Sequence, residues 1–156
     1  MTPNVDERLA SVVRALTEVI LPHLPPEASL AQEQAHLCIG HLQILRAQID
    51  AAPAFEREEL DDAIAIGTAL AARISGGTAT GQAREALTSA ITAADGVHVR
   101  AQYQAINDAI ATLVHAVGAD GDSASKAAMT STILEMEHGR AQKDRKWFAP
   151  FGFDTL

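Results

Sequence analysis

Val99-Arg100-Ala101-Gln102-Tyr103-Gln104-Ala105-Ile106-Asn107-Asp108-Ala109-Ile110-Ala111-Thr112-Leu113-Val114-His115-Ala116-Val117-Gly118 decides the fold class. Val99, Tyr103, Ile106, Ile110, Leu113 and Val117 recur at steps of three and four, which puts six large side chains on one face of a helix. Alanines fill much of the remainder, and alanine is the best helix former. Gly118 is the expected C-terminal stop.

The same period extends in both directions. Downstream, Asp120-Gly121-Asp122-Ser123 predicts a turn with Ser123 as N-cap, opening a last helix to about Trp147 with Met129, Ile133, Leu134 and Met136 as its apolar residues. Upstream, Asp95-Gly96 marks a turn, preceded by a short helix over about 81–94 bearing Leu87 and Ile91. A third helix over about 54–74 opens with Glu56, Glu58, Glu59, Asp61 and Asp62 and closes with Arg73 before Gly76-Gly77, the charge order that a helix dipole favours. Ala63, Gly67 and Ala71 stand four apart within it and allow close approach of another helix, either inside the protein or across a dimer seam. Pro53 separates it from a second helix beginning near Pro26 or Glu27, whose broad apolar face holds Leu30, Leu37, Leu42, Ile44, Leu45 and Ile49. The first helix, about 4–21, carries Val5, Leu9, Val12, Leu16, Val19 and Ile20, with Asn4 as N-cap and Pro22, Pro25 and Pro26 ending it.

The expected fold is therefore all-α: an antiparallel helical bundle of five to six helices, forming one domain over 1–146 with an aromatic tail at 147–156. The general pattern looks like that of small helical-bundle proteins of bacteria. Six aromatic residues in 156 are too few for a β-sandwich or barrel. The formal net charge of −8 counts against nucleic-acid binding. One cysteine, an N-terminus without a basic start and apolar run, and the lack of a membrane-length apolar stretch together lead to the expectation of a cytoplasmic protein that does not span a membrane.

Several local patterns invite a chemical reading. Glu33-Gln34-Ala35-His36 and Glu135-Met136-Glu137-His138 are two Glu-x-x-His runs on predicted helices. The ferritin-like di-iron arrangement combines two such runs with a glutamate from each of two further helices, which Glu18 and either Glu59 or Glu85 would supply in chain order. Helical geometry opposes that assembly. His36 falls opposite the Leu30–Leu37–Ile44–Leu45 face, Glu18 lies about 200° round from Leu16, and His138 about 180° from Met129. Glu33, His36, Glu135 and His138 thus form a weak metal-ligand set, and no cofactor is expected. His41 sits near the centre of the second helix's apolar face with Cys38 beside it; a buried histidine there needs a polar partner, so these two are the candidate ligand-binding residues. Ser123-Ala124-Ser125-Lys126 matches a Ser-x-x-Lys run but lacks the companion motifs of serine acyl-enzymes. The loop Gly76-Gly77-Thr78-Ala79-Thr80-Gly81 lacks a phosphate-binding Gly-Lys-Ser/Thr ending.

The C-terminal stretch is the most unusual in composition. Trp147, Phe148, Phe151 and Phe153 are four of the six aromatics and follow Lys143, Arg145 and Lys146. Side chains of that size must be covered by the protein's own bundle, by a second copy or by another protein. No catalytic constellation stands out. The expected function is a non-catalytic accessory or interaction protein acting through helix–helix and tail contacts, as a homodimer; the alternative is a small-ligand or metal-binding bundle with a site near His41.

Overall fold

The computed structural model describes residues 3–93 and 98–149. Six α-helices dominate them: α1 (Val5–Arg14), α2 (Ser29–Gln48), α3 (Ala52–Arg73), α4 (Thr78–Thr92), α5 (Val99–Asp120) and α6 (Ser123–Phe148). Among the described residues no strand occurs, only an isolated antiparallel bridge between Gly76 and Gly121. The protein is all-α. Its contacts fall into two compact units, residues 1–53 and 54–156, where the sequence shows only Pro53 as a helix boundary. The expected turn at Asp95-Gly96 lies outside the described residues.

The N-terminal unit is a pair of helices. Asn4 caps α1 as expected, and Glu7 completes a capping box: the Asn4 side chain accepts from the Glu7 amide at 2.8 Å, while the Asn4 amide donates to Glu7 Oε2 at 2.8 Å. The helix then widens into a π turn over Ala15–Ile20 and tightens into a 3₁₀ turn over Leu21–His23 that takes in Pro22, ahead of Pro25 and Pro26. Arg46, in the last turn of α2, holds the Asp6 carboxylate of α1's first turn in a fork, Nε to Oδ1 at 2.7 Å and Nη2 to Oδ2 at 3.1 Å. This pairing puts the start of α1 against the end of α2.

The C-terminal unit contains the core. Leu70, Leu87, Ile106, Leu113 and Val117 are fully buried, joined by Leu60, Ala63, Ile66, Ile74 and Ala83, with Tyr103, Ile110, Met129, Ile133 and Met136 packed at the margin. Specific contacts fix the helix directions. The start of α3 meets the end of α6 where Phe55 and Trp147 stack with ring centroids 4.3 Å apart, and the end of α3 meets the start of α6 where the Ser75 amide donates to Ser125 Oγ at 2.8 Å. Asp120 at the end of α5 meets the start of α4, and Gln102 near the start of α5 donates to the Ile91 carbonyl near the end of α4 at 3.4 Å. α3 and α6 therefore run in opposite directions, as do α4 and α5.

Gly67 shows why a helix interior tolerates glycine here. A Cβ on it would stand 2.9 Å from Ile91 Cδ1 and 3.2 Å from Leu87 Cδ1, so the small-residue stripe of α3 is a seat for α4. Gly118 does not stop α5; the helix runs on to Asp120 and ends at Gly121, whose amide bonds the Val117 carbonyl at 3.0 Å. Nor is Ser123 the cap of α6. That role falls to Asp122, whose Oδ1 accepts from the Ser125 amide at 2.6 Å.

The α4 N-terminus has an unusual cap. Gly77 stands at the N-cap position with no side chain to offer, and the Asp120 carboxylate fills the gap from α5, accepting from the amides of Ala79 at 2.8 Å and Thr80 at 3.0 Å and from the Thr80 hydroxyl. The Gly77 amide donates to the Asp120 carbonyl at 3.1 Å. These donors hold the Asp120 carboxyl below its ordinary range, the Thr80 hydroxyl contributing most.

Two outcomes are expected. Gly67→Leu destabilises the protein by about 1–3 kcal/mol through overpacking against Ile91 and Leu87, whereas Gly67→Ala stays within about 1 kcal/mol because a flexible Ile91 methyl can yield; urea melts separate the two. For Asp120, a carboxyl lowered on folding stabilises fully above its ordinary value of 3.8 and loses that contribution as pH falls through the depressed one. Asp120→Asn therefore lowers the melting temperature at pH 6 more than Asp108→Asn does, and flattens the acid limb of the stability curve below about pH 4.

Candidate functional site

The apolar stripes of α3, α5 and α6 turn polar at one end of the C-terminal unit. Glu59 continues the Ala63–Ile66–Leu70 row of α3 at helical spacing, Tyr103 continues the Ile106–Ile110–Leu113 row of α5, and Arg140 and Lys143 continue the Ile133–Met136 row of α6. Ionisable groups thus take core-facing positions where the bundle meets water. Among the described residues Glu59 Oε1 is the one buried side-chain oxygen or nitrogen with no hydrogen-bond partner.

Burial pushes the Glu59 carboxyl above its ordinary range; the Asp144 and Asp62 charges add to this, and Arg140 and the bonded Tyr103 hydroxyl oppose it. Burial likewise raises Tyr103, with Glu59 the next contributor. Arg140 is already engaged by Glu137, with Nε and Nη2 at 3.0 and 2.9 Å from Oε2. Lys143 Nζ donates to Asp62 and stands 3.7 Å from Glu58, and its bond to Asp62 raises its own proton affinity. Arg100 Nη1 lies 3.5 Å from Glu56 on the outer edge. Beside the cluster runs an open cleft of about 310 Å³ lined by Asp62, Ile66, Glu135, Met136, Gly139, Arg140 and Lys143. Of its charged residues, Lys143 pairs with Asp62 and Arg140 with Glu137. The arrangement suits charge-coupled seating of α6 on α3 and α5.

The residues singled out from sequence are dispersed. Glu33 and His36 are exposed on α2 of the N-terminal unit, where His36 Nδ1 donates to the Gln32 carbonyl at 2.8 Å. Glu135 and His138 are exposed on α6 of the C-terminal unit, Glu135 at the cleft. Among the described residues no three His, Cys, Asp or Glu side chains gather as a metal-binding group. His41 was expected on a buried face and is exposed, as is Cys38. Their stripe on α2 points outward: Leu30, Leu37 and Leu45 are 68%, 49% and 54% exposed, while Ala35 and Ile44 are the buried residues of that helix. Periodicity located the apolar face of α2 without saying what covers it. Trp147 lies half-buried on Phe55 of its own bundle, Phe148 is exposed, and Phe151 and Phe153 lie outside the described residues.

Glu59 was legible as a helix-opening acid and as a possible bridging carboxylate. The signal for its actual setting was its place four, seven and eleven residues before Ala63, Ile66 and Leu70. Comparisons with protein-family models, curated proteins and solved structures return no match for this chain. Among the described residues no helix is long and apolar enough to cross a membrane.

Lys143→Met leaves Asp62 and Glu58 without their cation beside Glu59. It is expected to lower stability at pH 7, with the loss shrinking in 0.5 M salt (roughly a 4 Å screening length). Urea denaturation across these conditions is the measurement.

Proposed function

We propose that this protein is a non-catalytic interaction protein that works in the cytoplasm as a homodimer, with the N-terminal helical pair supplying the seam and the aromatic end of α6 a second contact. One observation carries the reading: the apolar stripe of the N-terminal unit is exposed. Besides Leu30, Leu37 and Leu45 on α2, it includes Val5 and Val12 on α1 and Val19 and Ile20 on the π turn. Among the described residues of this unit only Ala35 and Ile44 are buried, far short of the core an independent unit of its length needs.

Two features favour a second copy as the occupant. Val5, Val12 and Val19 stand seven apart, as do Leu30 and Leu37, and seven-residue spacing is the repeat by which helices pack along one another. Residues 1–53 contain no Phe, Tyr or Trp, the anchors on which interfaces with unrelated partners concentrate their energy, so the seam is purely aliphatic. Two such helical pairs, face to face, make a four-helix arrangement in which the same patch serves both subunits. The exposed single cysteine, Cys38, suits a reducing compartment.

Native mass spectrometry and light scattering of the full-length protein test the proposal. A dimer is expected, with Leu37→Asp/Leu45→Asp weakening it by about 100-fold or more while the C-terminal bundle stays folded. A wild-type monomer at tens of micromolar would overturn it. A stoichiometric bound metal or organic mass in the same spectrum would replace it with the ligand-binding reading centred on His41.

A further inference from the structure

The polar end of the C-terminal bundle has a property that the dimer reading does not use. Contacts that hold the outer half of α6 to α3 and α5 include Lys143 with Asp62 and Glu58, Trp147 on Phe55, and the neighbourhood of Glu59, Tyr103, Arg140 and Asp144. Several of these are ionic, and the α6 side chains packed against the apolar core are Met129, Ile133 and Met136. At the centre stands a carboxyl whose Oε1 is shut off from water and, among the described residues, unpaired. An ionised carboxylate in that position is costly, because a buried charge needs donors and Glu59 has the Tyr103 hydroxyl alone as a bonded one.

We propose that Glu59 is a proton-operated latch for the outer half of α6: with Glu59 neutral the helix end is seated on α3 and α5, and with Glu59 ionised the seat loosens and Trp147 lifts from Phe55. Every packed element contributes charge around it. From α3 come Glu56, Glu58 and Asp62; from α5, Arg100 and Tyr103; from α6, Glu137, Arg140, Lys143 and Asp144. Arg140 and Lys143 are committed to Glu137 and Asp62, so neither neutralises Glu59 fully, while Asp144 on the moving helix repels it when both are ionised. Ionisation therefore sets like charges on α3 and α6 against each other across the contact that would open.

The sign follows from the direction of the shift. A carboxyl raised on folding favours the seated form below its folded midpoint, and the advantage is lost as pH rises through that midpoint. The opening equilibrium increases by up to tenfold for each pH unit between the open-state and seated-state midpoints.

The chain carries its own reporter, since Trp147 is its single tryptophan and lies in the contact. Fluorescence of the full-length protein is followed from pH 4.5 to 8, with hydrogen exchange of 137–148, corrected for intrinsic rates, as a second readout. Expected is a change in Trp147 emission and faster exchange on raising pH, with a midpoint above the ordinary glutamate value. Glu59→Gln should abolish the transition and hold the helix end in the seated, slow-exchanging form; Asp144→Asn should lower the midpoint by removing the like charge. His138 lies on the same helix, so His138→Gln must leave the transition in place. A flat wild-type profile, an unchanged transition in Glu59→Gln, or its loss in His138→Gln would each overturn the proposal.

Discussion

Three donors at the start of α4, the amides of Ala79 and Thr80 and the Thr80 hydroxyl, converge on the carboxylate of Asp120, forty residues on and at the end of another helix. A helix that begins on Gly77 has no cap of its own, and its first amides would otherwise be left to solvent. Borrowing the cap from α5 fixes where α4 starts and where α5 stops in a single contact. The adjacent loops are drawn together: the Gly77 amide meets the Asp120 carbonyl, Gly76 pairs with Gly121, and Ser75 engages Ser125 and Asp122 at the head of α6. The ends of α3 and α5 and the starts of α4 and α6 thereby share one knot of hydrogen bonds, and the apolar rows between them follow in register.

The glycines in this knot belong to the same constraint. A Cβ on Gly76 would come 2.9 Å from the Gly121 Cα, and one on Gly121 would come 2.6 Å from the Val117 carbonyl oxygen. Both obstacles are backbone, so neither can yield as a side-chain methyl does. Two segments of the backbone approach there at a separation that leaves no room for a Cβ.

The helices themselves were legible because α3, α4 and α5 bury one face against a common core: Leu60, Leu70, Leu87, Ile106, Leu113 and Val117 all occupy the positions that periodicity assigns to the interior. The same reasoning applied to α2 found the stripe of Leu30, Leu37 and Leu45 but set it inside, because a hydrophobic face reveals a need for cover and not its source. The division at Pro53 was invisible for a related reason, since proline marks a helix boundary equally within a bundle and between two units. Asp120 as the cap of α4 is a contact across forty residues with no local signature. Glu59 could have been read more sharply: an acid in phase with a buried row differs from one on a solvated face, even where both belong to the same acidic segment.

The stacking of Phe55 on Trp147 brings together the two places where the backbone enters and leaves the C-terminal bundle. A fold whose ends meet can be cut at one of its loops and rejoined across that junction with little change in connectivity, so it behaves topologically as a closed ring. Such a ring can be carried as an insert within another chain or strung in tandem without stretching its linkers.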